Sequence, residues 1–301
     1  MPEAYTHILI GTNAAEMAEI RPQHPAVFAL GCQGPDLLFC YQVWKKGSKR
    51  RPNLPALGGR MHKEKTGAFL MALAQNASTP MQQEYVAGFL CHYAADCTLH
   101  PYVNYLTQKG QLYGKKGGHG YFEVALDSYL CQQQTGDGAV KADKNCPALN
   151  GEELAQVSHL LWQTVEQVFG GYPDQQPFAD SYHHTRMLRK IFISRFGIKR
   201  AIFWIAERVA FGGAGFITGH VTPAKLKQPL PSQWVHPATG QQMEASLEQL
   251  LQQAKEKAKT LLQGYFQWKK GEISHQQFTD LIGNYSYEDG GTCQQEEGRQ
   301  P

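Results

Sequence analysis

The chain has no long apolar run. Its richest stretch, AIFWIAERVAFGGAGF from Ala201 to Phe216, is interrupted by Glu207 and Arg208. A bilayer-spanning helix needs about 20 consecutive apolar residues, so no transmembrane segment is expected. Charge of one sign is equally scarce. Against 29 Lys and Arg stand 26 Asp and Glu, a net charge of +3, which does not by itself argue for a nucleic-acid partner. The seven cysteines are an odd number and contain no CxxC pair; they read as buried, reduced thiols rather than a disulfide framework. The N-terminal MPEAYTHILIGT carries an acid at Glu3 and only a short apolar run, so it does not read as a signal peptide. A cytoplasmic protein is the expectation. Internal repeats and useful β-alternation are lacking too, so an ordinary apolar fraction of 42% is left for helices to bury.

Helical patterns run the length of the chain. The first covers Ala4 to about Ala18, with His7 on its opening turn. A Gly34-Pro35-Asp36 corner then breaks an apolar stretch, and a carboxylate there either caps a helix or ligates a metal. Residues 44–60 are basic and Pro/Gly-punctuated and read as a loop, more often a solvated surface than a phosphate-attracting rim; sequence proximity to His62 alone makes Arg50, Arg51 and Arg60 candidates to sit near a bound phosphate. His62 is expected to open a helix that turns Thr66, Phe69, Leu70 and Leu73 inward. The segment GDGAVKADKNCPALNG reads as an exposed connection before the amphipathic GEELAQVSHLLWQTVEQVFGG. From Ser181 to Phe211 basic residues interleave with aromatics. That pattern describes either a core helix with a charged outer face or a helix resting on anionic lipid. A strong helix ends at Gly271 and a short one follows; beyond Ser286 nothing apolar recurs. The fold class is therefore all-α, a multi-helix bundle. Residues 1–135 form a metal-binding core, 150–284 form helices packed on or beside it within the same domain, and 285–301 form a disordered tail.

The chemistry concentrates between His92 and Glu123. His92, Asp96 and His100 follow one another at steps of four, as do His119 and Glu123. A step of four advances about 40° around a helix, so each set shares one stripe. Pro101 should end the first ligand helix near His100, and Gly117-Gly118 turns the chain into the second. One HxxxD or HxxxE pair is more often a helix-surface contact than a metal site. Two such pairs plus a third imidazole on the same stripe point to a polynuclear metal centre in the N-terminal half of the bundle. Imidazole with carboxylate suits zinc, iron or manganese, and zinc is preferred for hydrolysis.

At these residues the sequence resembles the zinc-dependent phospholipase C family, whose relatives include bacterial phospholipases C, clostridial alpha-toxin and fungal single-strand-specific nucleases. The likeness covers about residues 4–130. It is carried, in the family's order, by YTH at Tyr5–His7, GPD at Gly34–Asp36, MH at Met61–His62, CHYAADCTLHP at Cys91–Pro101 and GGHGYFE at Gly117–Glu123. The resemblance implies that Asp36, His62, His92 and Asp96 hold one zinc ion and that His100, His119 and Glu123 hold a second. His7, with Asp96 as a bridge, would belong to a third, and Asp36 would also act as general base. Two departures stand out. The secreted relatives complete the third site with an N-terminal tryptophan, whereas the first tryptophan here is Trp44. They also place more residues between the bridging Asp and the following His than separate Asp96 from His100. The expected activity is hydrolysis of a phosphodiester, with a phospholipid at a membrane surface as one substrate. The alternatives are a nuclease or nucleotidase, with Tyr41, Trp44, Tyr102, Tyr105 or Tyr113 stacking bases, and a catalytically silent metal-stabilised scaffold.

Overall fold

The computed structural model describes residues 4–211, 215 and 217–293. Among them run twelve α-helices. The first six are α1 (Ala4–Met17), α2 (Pro25–Gly31), α3 (Leu54–Met61), α4 (Thr66–Asn76), α5 (Pro80–Thr107) and α6 (Gly118–Thr135). The rest are α7 (Ala142–Asn145), α8 (Gly151–Phe169), α9 (Gln176–Ile191), α10 (Ile198–Phe211), α11 (Leu247–Lys269) and α12 (His275–Ile282). A 3-10 segment covers Gly34–Cys40. The one sheet among the described residues is a short antiparallel pair, β1 (Gln233–Val235) with β2 (Gln242–Glu244).

Helix α5 is the axis. Thr79 starts it with a capping box: its hydroxyl accepts from Gln82 N at 3.2 Å, and Gln82 Oε1 accepts from Thr79 N at 3.3 Å. Pro80 at the first helical position needs no N–H partner. Tyr85, Val86, Phe89, Leu90 and Tyr93 are fully buried, so this helix is surrounded. Helix α2 crosses it closely enough that a Cβ on Gly88 would strike the Phe28 carbonyl, which glycine alone tolerates. Along the other side lies α11, which buries Leu250, Ala254, Ala258, Leu261 and Tyr265 at helical spacing. Helix α1 packs against both.

Several expectations are corrected. Pro101 does not end the metal helix, which continues to Thr107. A proline inside a helix costs about 3 kcal/mol, but Tyr102, Val103 and Leu106 beyond it are buried at about 1.5–3 kcal/mol each, so packing outweighs the break. Residues 54–60 of the expected loop, with Met61, form α3, and His62 caps its C-terminus instead of opening α4. Pro55 in the first turn and buried Leu54, Leu57 and Met61 favour the helix. The 137–150 connection buries Ala139, Val140, Ala142 and Cys146 and holds α7. The region 181–211 is two helices. Between them Gly197 takes φ +75°, Ser194 N donates to Thr222 O at 2.8 Å and Thr222 N to Phe192 O at 2.9 Å.

The expected disordered tail is the largest correction. Tyr287 is buried and donates its N–H to His62 O at 2.8 Å, while Cys293 N donates to Asn284 O at 2.8 Å. Residues 284–293 thus wrap back onto α3 and α5, held by backbone hydrogen bonds that apolar periodicity does not report. Residues 294–301 lie outside the described residues. No disulfide joins the seven cysteines, all of them buried.

Candidate metal centre

Three α-helices and two turns aim side chains at one buried point. Helix α5 presents His92, Asp96 and His100 from successive turns; α6 presents His119 and Glu123; the 3-10 segment supplies Asp36; the end of α3 supplies His62; α1 supplies His7. His7 is fixed from across the bundle. Asp127 of α6 accepts from the N–H groups of Tyr5 and Thr6 at 2.9 and 2.8 Å, a carboxylate on the positive end of α1.

Asp96 is the junction. Its Oδ2 lies 2.9 Å from His92 Nε2 and 3.7 Å from His62 Nε2. Its Oδ1 lies 3.4 Å from both His7 Nε2 and His100 Nε2. On one side Asp36 closes the set, with Oδ1 3.1 Å from His62 Nε2 and Oδ2 3.8 Å from His92 Nε2. On the other, Glu123 Oε1 sits 2.9 Å from His119 Nε2 and 3.5 Å from His100 Nε2. The donor atoms of Asp36, His62, His92 and Asp96 lie within 4.8 Å of one another, as do those of His100, His119 and Glu123. Asp36 therefore caps nothing; its carboxylate faces imidazole. The short gap before His100 still directs that ring at Glu123.

The donor set fits zinc on four grounds. First, all are imidazole nitrogens or carboxylate oxygens, its usual hard and borderline ligands. Second, both Asp96 oxygens and His92 Nε2 are buried without a hydrogen bond of acceptable angle, a costly state for a charged group unless a cation completes it. Third, the far side of two rings is already committed. His62 Nδ1 donates to Gly58 O at 2.6 Å and His100 Nδ1 to Tyr287 O at 2.7 Å. Carbonyls only accept, so Nδ1 holds a proton and Nε2 is the nitrogen left to face a cation.

The fourth ground is electrostatic. Burial holds His7 down to about 4. Burial also opposes charge on His100, but Asp96 and Glu123 outweigh it and push that ring up to about 10. His92 is raised likewise, Asp96 and Asp36 overcoming burial. Burial would raise Asp96, yet His100, His92 and His7 drive it far below the carboxylate range. Glu123 is lowered against burial mainly by His119. Three carboxylates in one buried cluster demand positive charge, and protons supply it when no cation does.

Sequence reasoning missed the supports. Gly34 takes φ +51°, and any Cβ there would collide with the His92 ring. The Tyr287 ring meets His62 edge-on and His92 at a tilt, with centroids 5.2 and 5.7 Å away. An opening of about 330 Å³ reaches the centre, lined by Phe39, His62, His100, Asn104, His119, Glu123 and Glu288. Two of the three arginine candidates for the phosphate are engaged with other groups. Arg60 pairs with Glu64 at 2.9 Å and covers Phe169, and Arg50 donates to the Gln42 and Val43 carbonyls.

An all-helical chain with buried histidine and carboxylate groups able to hold metal is a metalloprotein of the bundle type. A family model described as zinc-dependent phospholipase C matches residues 6–169, and the chain belongs to that family. Searches among curated proteins and among solved structures returned no match.

Proposed function

We propose that this protein is a zinc-dependent phosphodiester hydrolase of the phospholipase C type. The observation that carries the reading is Asp96: a fully buried carboxylate, facing four imidazoles, with neither oxygen hydrogen-bonded. Asp36, His62, His92 and Asp96 would hold one zinc ion and His100, His119 and Glu123 a second, with His7 beside Asp96 the candidate for a third. When bound, such ions polarise phosphate oxygens and lower the pKa of water to about 7.

The chain's own residues do the rest. The opening beside His119 and Glu123 admits the diester, with Phe39 and Asn104 as walls. Asn104 Nδ2 donates to Glu288 O at 2.6 Å and so fixes that wall. Asp36, which faces His62 from its 3-10 turn, would take the proton of the attacking water. Gly58 and Tyr287 carbonyls hold His62 and His100 in the tautomer that this geometry requires. The buried thiols fit a reducing, cytoplasmic setting.

Zinc-loaded protein should cleave bis-p-nitrophenyl phosphate, with activity lost on chelation and in His92→Ala. Two or more zinc ions bound with no diester cleaved would favour a metal-stabilised scaffold instead. Comparing phosphatidylcholine with single-stranded DNA separates lipase from nuclease. Tyr102 and Tyr105 pack on Trp234, which removes two of the base-stacking candidates.

A further inference from the structure

Helix α10 is built inside out. At about 100° per residue, Ile198, Ile202, Ile205 and Val209 fall within about 60° of one another. They are 67, 58, 57 and 84% exposed. The opposite side carries Arg200 and Glu207, and it is this polar side that faces the protein. Glu207 accepts from the N–H groups of Ile217 and Thr218 at 3.2 and 3.0 Å. Arg200 donates to the carbonyls of Val221 and Pro223. A helix on a water-bathed surface normally does the reverse. Phe196, 86% exposed just before the helix, extends the apolar face.

The charges say what covers this face. Lys199 and Arg208, both exposed, lie about a quarter turn to either side of the aliphatic stripe; Lys199 Nζ rests on the Lys190 and Ile191 carbonyls and Arg208 lies over the Trp204 ring. Beneath the helix a cavity of about 580 Å³ is lined by Lys115, Lys116, Lys227, Tyr113 and Tyr121 along with Arg200, and among the described residues no acidic side chain lines it. Its wall at Gly117-Gly118 leads directly into His119 of the metal centre. An apolar stripe edged by cations matches a surface that is apolar below and anionic above, which is a phospholipid interface. At 14 residues the helix is too short to cross a bilayer and the right form to lie in its plane.

We propose that α10 seats the protein on an anionic phospholipid surface. The aliphatic stripe enters the acyl boundary, Lys199 and Arg208 sit at the level of the lipid phosphates, and the basic cavity leads from that level to α6. The seating stands apart from catalysis and does not depend on turnover.

Metal-free protein co-sedimented with vesicles of four parts phosphatidylcholine to one part phosphatidylserine tests it. Wild type should partition onto these vesicles, and Ile202→Glu/Ile205→Glu should lose about tenfold or more of that partition, since burying the stripe drives binding. Lys199→Glu/Arg208→Glu, on exposed positions that do not threaten folding, should lose the preference for anionic over pure phosphatidylcholine vesicles. With zinc restored, both variants should keep the wild-type rate on water-soluble bis-p-nitrophenyl phosphate. Failure of that hydrolysis in every form would sink the hydrolase reading and leave the vesicle result intact. Three outcomes overturn the proposal: no vesicle binding by wild type, equal binding by the Glu variant, or a wild-type dimer that Ile202→Glu/Ile205→Glu splits while vesicles are ignored. The last would make a second copy the occupant.

Discussion

Gly34→Ala tests the centre without touching a ligand. Gly34 begins the 3-10 segment that carries Asp36 and takes φ +51°, a conformation that costs an L-residue about 1–2 kcal/mol. The steric term is larger. An added Cβ would stand 2.7 Å from His92 Nε2 and closer still to Cδ2, against an ordinary contact of about 3.5–4.0 Å. The ring must retreat by roughly an ångström, whereas zinc–nitrogen bonds of about 2.0–2.1 Å tolerate only about 0.2 Å. Zinc affinity should therefore fall by about 10–100-fold or more, the loss expected when ligand support is removed. Metal-free protein should lose stability as well, from the backbone cost and from displacing the buried His92 ring, at about 2–4 °C of Tm per kcal/mol for a chain somewhat smaller than this. Gly47→Ala is the control, since a Cβ there meets nothing. Zinc content by mass spectrometry after dialysis against a competing chelator reads the result. Unaltered stoichiometry and affinity in Gly34→Ala would refute the claim that His92 is a positioned ligand.

Asp96→Asn keeps the side chain's shape but removes the negative charge that faces both donor groups. Zinc content should drop at both groups together, measured by metal analysis, with diester hydrolysis lost in parallel. Tyr287→Ala removes a fully buried ring packed on His62 and His92 and should cost about 3–5 kcal/mol in a denaturant titration. Chelation should lower the melting temperature of the wild type, because a ligand at 1,000 times its Kd stabilises by about 4 kcal/mol. Asp96→Asn, with affinity gone, should show a much smaller shift in the same scan.

The ligand helices were legible because their chemistry shares the helix's own period. His92, Asp96, His100, His119 and Glu123 each recur at four, and a helix turns that spacing into one stripe. Asp36 and His62 have no such period. They were reached through the family likeness, and only the fold brings their side chains to within 3.1 Å. Helix α3 was hidden because Pro55, Gly58 and Gly59 read as loop, although burial of Leu54 and Leu57 favours a helix. Residues 284–293 were hidden because backbone hydrogen bonds hold them, and these leave no composition signature. At α10 apolar periodicity named a helix correctly but not which way it faces. That was settled by Arg200 and Glu207, whose partners lie beyond the helix at residues 217–223.

The acceptor for His100 Nδ1 lies 187 residues downstream of it. At a synthesis rate of about 5–20 residues per second, roughly ten to forty seconds separate the emergence of that ring from the carbonyl that orients it. During translation α5 carries His100 without its final brace, so the site takes its braced form only once Tyr287 has been made. A metal that needs the braced ring would have to wait for Tyr287 to join the fold.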